Sequence, residues 1–192
     1  SFDLNSLYPH LIMQYNISPE TLIDGHNIKT DVNSLLSGTT NTEEAVQMNA
    51  TLCPSGVMFN KDSKGFLPKL MQKMYDDRTK YKKQMLKIKQ EKENGEGDPV
   101  LQTKQISALN NKQMAAKILL NSCYGALGNQ YFRYFDIRQA ESITLSGQLS
   151  IRWIEERMNE YINRLLQNEK SKNYVIASDT DSIYLSLGEF VT

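Results

Sequence analysis

The chain is 192 residues long and carries 22 basic and 22 acidic side chains, so its formal net charge is zero. That balance argues against capture of nucleic acid by the surface as a whole, and no run approaches the ~18 consecutive apolar residues of a membrane span. Two cysteines, Cys53 and Cys123, have neither metal-ligand spacing nor a disulfide framework, which fits reduced thiols in a cytosolic protein.

Residues 1–23 read as a short strand, a turn at Tyr8-Pro9 and a short helix before Ser18-Pro19. Residues 24–55 are polar with weak periodicity, an irregular stretch with room for one short helix. Val57 to Asn60, then Lys61 to Gly65, then Phe66-Leu67 reads as a small hairpin closed by a glycine-containing turn. After Pro68 a helical pattern runs to about Glu93, with Leu70, Met74, Tyr81, Met85 and Ile88 at its apolar positions. This segment concentrates charge: from Lys69 to Glu93 there are nine Lys or Arg against four Asp or Glu. Asn94 to Pro99 breaks the pattern, and a second helix follows from about Leu101 to Cys123. A break that short makes the pair an antiparallel helical hairpin, and its abundant charge favours protrusion. A third helix spans about Ile137 to Gln167, and Tyr174 to Leu187 form a β-hairpin turning at Ser178 to Asp181. The opening strand without an initiator methionine and the stop at Val191-Thr192 read as the ends of an excerpt.

Asp179 and Asp181 sit at the hairpin turn, where aspartate is ordinarily a turn residue. Asp3, in a strand-like run, is ordinarily an edge residue in water. If the three meet, their mutual repulsion calls for divalent cations, and two such ions ~3.5–4 Å apart suit in-line phosphoryl transfer. A triphosphate also needs cationic side chains. Arg78 and Lys82 share a face of the first long helix, and Lys117 and Asn121 share one on the second. Taken singly, Arg78 and Lys82 are a solvated face, whereas Leu119 and Leu120 suggest that Lys117 is partly buried. Tyr8 is placed to lie against a sugar, and Gly125, near the helix end, to admit a base pair.

Together these segments resemble family B DNA polymerases. Asp3-Leu4-Asn5-Ser6-Leu7-Tyr8-Pro9 is similar to the first polymerase motif, Lys117 to Gly125 (K-x-x-x-N-S-x-Y-G) to the second, and Asp179-Thr180-Asp181-Ser182 to the third, all in the family's order. Gln14 to Thr21 and Gly125 to Asn129 are similar to the replicative enzymes of T-even-like tailed phages.

The resemblance implies an α+β fold: a palm of antiparallel sheet and packed helices (residues 1–68 and 125–192) with a protruding two-helix fingers hairpin (residues 69–124). It implies two Mg²⁺ ions held by Asp3 and Asp181, with Asp179 the lesser acid. Leu4, Ser6 and Leu7 would meet the phosphates through their backbone, and Tyr8 would exclude a ribose 2′-hydroxyl. Arg78, Lys82, Lys117 and Asn121 would grip the triphosphate, while Tyr124 and Gly125 would border the nascent base pair.

The implied partners are a primer-template, deoxynucleoside triphosphates, exonuclease and thumb domains lying elsewhere, and a sliding clamp, with no membrane. The implied location is the cytoplasm, that of a bacterial host if the chain is phage-encoded. Without a thumb, the chain alone is expected to copy DNA poorly or not at all. Two residues depart from the family pattern: Ala177-Ser178 stand where Tyr-Gly is frequent, and His10, read here as a helix-start residue, where Ser is common. An RNA-synthesising or reverse-transcribing enzyme needs a small residue near Tyr8 or another motif order. The reading from a different class is a non-catalytic helical module that binds nucleic acid.

Overall fold

In the computed structural model, which describes residues 1–168 and 171–188, β1 (Phe2–Asp3) leads into α1 (Leu7–Tyr15). Two short helices follow, α2 (Val32–Leu36) and α3 (Glu43–Gln47), then β2 (Ala50–Leu52) and β3 (Met58–Asn60). The long helices are α4 (Phe66–Glu93), α5 (Pro99–Leu127) and α6 (Ile137–Leu165), and the chain returns through β4 (Val175–Asp179) and β5 (Ser182–Leu185). Among the described residues no helix is long and apolar enough to cross a membrane.

Asn16 ends α1 in the left-handed region (φ 57°), a conformation asparagine tolerates better than most residues. Its buried amide donates to the Asn60 and Ser63 carbonyls at 2.7 and 2.8 Å and accepts the Gly65 N–H at 2.8 Å. One side chain thus ties the end of α1 to β3 and to the root of α4.

The expected pairing of Val57–Asn60 with Phe66-Leu67 is not formed. β3 pairs backwards with β2, in register Thr51↔Phe59, through a turn whose Gly56 has a φ of 83°. The three-residue β2 lies in the weakly patterned stretch 24–55, which also holds two helices rather than one. Phe66 instead begins α4, with Pro68 at its third position, where no intrahelical N–H bond is lost. Gly65 supplies no cap, so distant residues do: Glu20 accepts the Phe66 N–H, and the Ser18 hydroxyl accepts that of Leu67.

The apolar face of α4 starts from Leu67 and Met71, both buried, whereas Leu70 is 38% exposed. α5 opens with Pro99, and Asp98 caps it by accepting the Val100 and Leu101 N–H groups. It continues to Leu127, so Gly125 lies within the helix. α4 and α5 pack along one another as the expected hairpin.

The principal core joins Ile12 of α1, Phe59 of β3, Met71 of α4, Leu120 of α5 and Ile143 of α6, so the base of the hairpin is built into the rest of the chain. A second antiparallel sheet has the order β1-β5-β4, with β4 an exposed edge on which Ala177 and Ser178 have room. Burial pushes the Cys53 thiol up to about 12 and the Cys123 thiol up to about 11. Both therefore stay protonated and unreactive at neutral pH.

Candidate active site

Chain segments that are far apart in sequence meet at one end of the three-stranded sheet. β1 pairs with β5 with Asp3 opposite Ser182, and the Leu4 N–H donates to the Asp181 carbonyl at 2.7 Å. This bond sets the turn carrying Asp181 beside the residues that follow Asp3. Thr180, at φ 45°, makes that turn tight enough for the Asp181 N–H to reach the Asp179 carbonyl.

After Leu4 the chain bends through Ser6, a non-glycine residue in the left-handed region at φ 55°. Such a conformation persists only when its surroundings hold it. Here the Ser6 hydroxyl accepts an Nη1 hydrogen bond from Arg78 of α4 at 3.1 Å and donates to the Asn5 side chain at 3.2 Å. Asn5 in turn donates to the Tyr75 hydroxyl at 3.4 Å. His10 packs edge-on to Tyr75 with its Nδ1 2.9 Å from the Ser6 carbonyl, the part of a helix-start residue.

These elements enclose a cleft of about 540 Å³. The sheet end contributes Asp3, Thr180 and Asp181, the bend contributes Asn5 and Ser6, and the first turn of α1, which begins before the expected turn at Tyr8-Pro9, contributes Leu7, Tyr8 and Pro9. Across from them, the helical hairpin supplies Arg78, Lys117, Asn121 and Tyr124. The Tyr8 and Tyr124 rings lie 4.6 Å apart at 53°. Burial raises the Tyr8 pKa first, with smaller contributions from Tyr124 and Asp181, so the phenol stays neutral and able to donate. Arg78 keeps a buried Nε without a partner among the described residues beside its bond to Ser6, leaving donor capacity at the cleft.

Three expectations do not hold as drawn from the sequence. The acids do not form a three-ligand cluster; among the described residues no three acidic, histidine or cysteine side chains gather to hold a metal. Asp3, Ser182 and Asp179 stand directly opposite one another on β1, β5 and β4. Asp3 and Asp179 are therefore two strand spacings, roughly 9.5 Å, apart, and only Asp181 joins Asp3 at the cleft. Lys117 is exposed rather than partly buried, because Leu120 turns inward while Leu119 is 52% exposed. Lys82 is exposed and does not line the cleft; four residues beyond Arg78, it lies roughly 6 Å farther out along α4.

Leu4 faces a neighbouring groove, and Leu7, which lines the cleft, borders that groove too. Gly125 is exposed outside the cleft lining, with nothing within 4 Å of where its Cβ would be. Asn5 and Thr180 also line the cleft; neither carries a distinguishing signal of its own in the sequence, although both lie inside the motifs quoted for their neighbours.

A family model described as DNA polymerase family B matches residues 1–191. This chain belongs to DNA polymerase family B. It is 32% identical over its whole length to the DNA-directed DNA polymerase of Enterobacteria phage T4, and 32% identical to that of Escherichia phage RB69, in each case over 25% of the relative. DNA polymerase 1 of Pyrococcus abyssi is 30% identical over 97% of the chain and 19% of the archaeal protein. The solved family B polymerase of Pyrobaculum calidifontis superposes with a TM-score of 0.60 at 26% identity, covering 94% of this chain and 19% of that one. The chain thus spans about a quarter or less of the family B relatives it matches.

Proposed function

We propose that the cleft is the nucleotidyl-transfer site of a DNA polymerase, which joins a primer 3′-hydroxyl to the α-phosphate of an incoming deoxynucleoside triphosphate and releases pyrophosphate. The observation that carries this reading is the meeting of Asp3 and Asp181 with Arg78, Lys117 and Asn121 in one cleft. These residues come from a strand end, a hairpin turn and two helices that the sequence holds far apart.

The donor set suits Mg²⁺, a hard cation that takes one or two carboxylates together with substrate phosphates rather than an all-protein cage. Asp3 and Asp181 would hold the two ions, neither being engaged in an ion pair among the described residues, with Asp179 at the margin. When bound, the ions would lower the pKa of the attacking hydroxyl and neutralise charge on the phosphates.

The chain's own residues do the rest. Arg78 offers a planar fork of donors to phosphate oxygens, and Lys117 offers a point charge from the facing helix. Lys82 would meet the triphosphate only if the hairpin inclines towards the sheet. Asn121 and the backbone of residues 4–7 add uncharged contacts, fixing the triphosphate for in-line attack. Tyr8 sets its ring where the sugar would lie and leaves no room for a 2′-hydroxyl. Tyr124 and Gly125 border the base pair, and the template base supplies the sequence. In this reading α4 and α5 are fingers and the sheet with α1 and α6 is the palm. A complete enzyme would add exonuclease and thumb domains, engage a sliding clamp and work in the host cytoplasm.

The test is primer extension by a complete phage family B polymerase carrying this segment in place of its own, beside the same chimera with Asp181→Ala. Mg²⁺-dependent incorporation of deoxynucleotides, lost by at least a thousandfold (about 4 kcal/mol of transition-state stabilisation) in the variant, is the expected result. A folded chimera that binds primer-template without extending it would favour the non-catalytic helical module instead. Processive synthesis by the 192 residues alone would refute the expectation that they are weak in isolation.

A further inference from the structure

Gly147 has no backbone reason to be glycine. It is buried within α6 in helical conformation, where glycine is the poorest helix former after proline. What its missing side chain accommodates is the Tyr8 ring. A Cβ at this position would stand 3.2 Å from Tyr8 Cε1, against 3.6 Å from Leu7 Cδ2 and 3.7 Å from Leu11 Cδ1. The two leucine distances are ordinary van der Waals spacing, whereas the tyrosine distance requires the ring to give way. Elsewhere the ring meets Tyr124, at 4.6 Å between centroids, and lines the cleft.

We infer that Gly147 is a positioning residue for sugar selection: by bringing the bare backbone of α6 against Tyr8, it fixes how far the ring projects into the nucleotide cleft. The inference rests on the reading of that cleft as a nucleotide site. A methyl group on α6 pushes the ring a few tenths of an ångström outward, narrowing the space that receives the sugar. The sugar then fits less well before any bond is made or broken, so the cost falls on binding rather than on the chemical step.

In the chimeric polymerase described above, Gly147→Ala should raise the KM for deoxynucleotides by about fivefold, the factor a 1 kcal/mol loss of binding produces, with kcat nearly unchanged. The ratio of deoxynucleotide to ribonucleotide kcat/KM should rise as well, since the larger sugar is hindered more. With Tyr8→Val as the background, Gly147→Ala should change neither quantity, because the atom it displaces is gone. Thermal unfolding of the single variant reports the balance between alanine's better helix propensity and the cost of displacing the ring.

Unchanged KM and sugar ratio in Gly147→Ala, or equal effects with and without the Tyr8 ring, would overturn the inference. If Gly147→Ala fails to fold, the Tyr8→Val/Gly147→Ala double variant must recover folding, and its failure to do so overturns the inference as well. A parent chimera that cannot extend a primer removes the nucleotide-site reading itself, an outcome distinct from an active parent in which Gly147→Ala is silent.

Discussion

The angle at which α4 leaves the rest of the chain depends on a carboxylate 46 residues upstream of the helix start. Glu20 accepts the Phe66 N–H and the Ser18 hydroxyl, the latter at 2.6 Å, and that hydroxyl accepts the Leu67 N–H at 3.4 Å. Burial pushes the Glu20 pKa up, but hydrogen bonds from Ser18 and the Phe66 N–H, with the Lys69 charge, outweigh it and hold the carboxyl below its usual range. Glu20→Ala removes an N-terminal cap from a helix whose own cap residue, Gly65, has no side chain. Such losses cost about 0.5–2 kcal/mol. Because Glu20 is solvent-exposed, the lower half of that range applies, a fall in Tm of about 2–4 °C for a chain of this size.

The sign with pH follows from the depressed folded-state pKa. The stabilisation is fully present above the ordinary glutamate value of about 4.3 and is lost as pH falls through the lower folded value. Urea unfolding from pH 7 to pH 2.5 should show the gap between parent and Glu20→Ala constant down to about pH 5 and then closing. Glu20→Gln, which keeps an acceptor without the charge, should lie between them at neutral pH. A gap of the same size at pH 2.5 as at pH 7 would refute the reasoning, since packing rather than the carboxylate would then be holding the helix. The consequence reaches the cleft. Arg78 is twelve residues beyond Phe66, roughly 18 Å along the helix, so a tilt of about 5° at the root displaces it by about 1.5 Å. Misplacement on that scale impairs positioning at a reaction site.

Two glycine substitutions should part stability from activity. At Gly65 a Cβ would stand 2.6 Å from the Ser18 Cβ and 3.2 Å from Thr21 Cγ2. The backbone there is ordinary, at φ −63°, so Gly65→Ala should destabilise by steric overlap alone, by about 1–3 kcal/mol in urea unfolding. At Gly125 a Cβ meets nothing within 4 Å inside a regular helix, so Gly125→Ala should stabilise by up to about 1 kcal/mol. Primer extension by the chimera should nonetheless fall with Gly125→Ala if, as proposed, that open space receives the base pair. Full activity there would remove Gly125 from the substrate surface.

What the sequence made legible follows from where its periodicity is strong. The hairpin of α4 and α5 rests on long charged faces and an unmistakable break at Asn94 to Pro99, and the β4–β5 turn on two apolar strands flanking Asp179 and Asp181. Asp3 lines the same cleft as Asp181 because β1 pairs with β5, a long-range pairing that local pattern does not reveal. The misassigned hairpin has a local cause: Gly65 looks like the turn glycine, yet its role is close approach to Ser18, while the turn actually used is closed by Gly56. The distance of Asp179 from Asp3 is not legible in the sequence, because spacing along a chain carries no information about two intervening strand widths. Gly147 left no sequence signal, since a lone glycine inside a helical pattern looks like a tolerated defect until the ring it faces is known.

The segment 4–8 is where the pieces become one site, because its contacts reach several parts of the chain. Leu4 binds the Asp181 turn, Ser6 binds Arg78 on α4, and Tyr8 lies between Tyr124 on α5 and Gly147 on α6. A movement of the helical hairpin in response to a nucleotide would be felt by the acids through Asn5, Ser6 and Tyr8, since their contacts to Tyr75, Arg78 and Tyr124 all end on this segment. Substitutions at Ser6 and Arg78 should accordingly be non-additive with each other, as members of one hydrogen-bonded unit are. The left-handed φ of Ser6 is intelligible on the same ground. The strain at Ser6 is thus the conformational cost of facing three helices and a strand end from five consecutive residues.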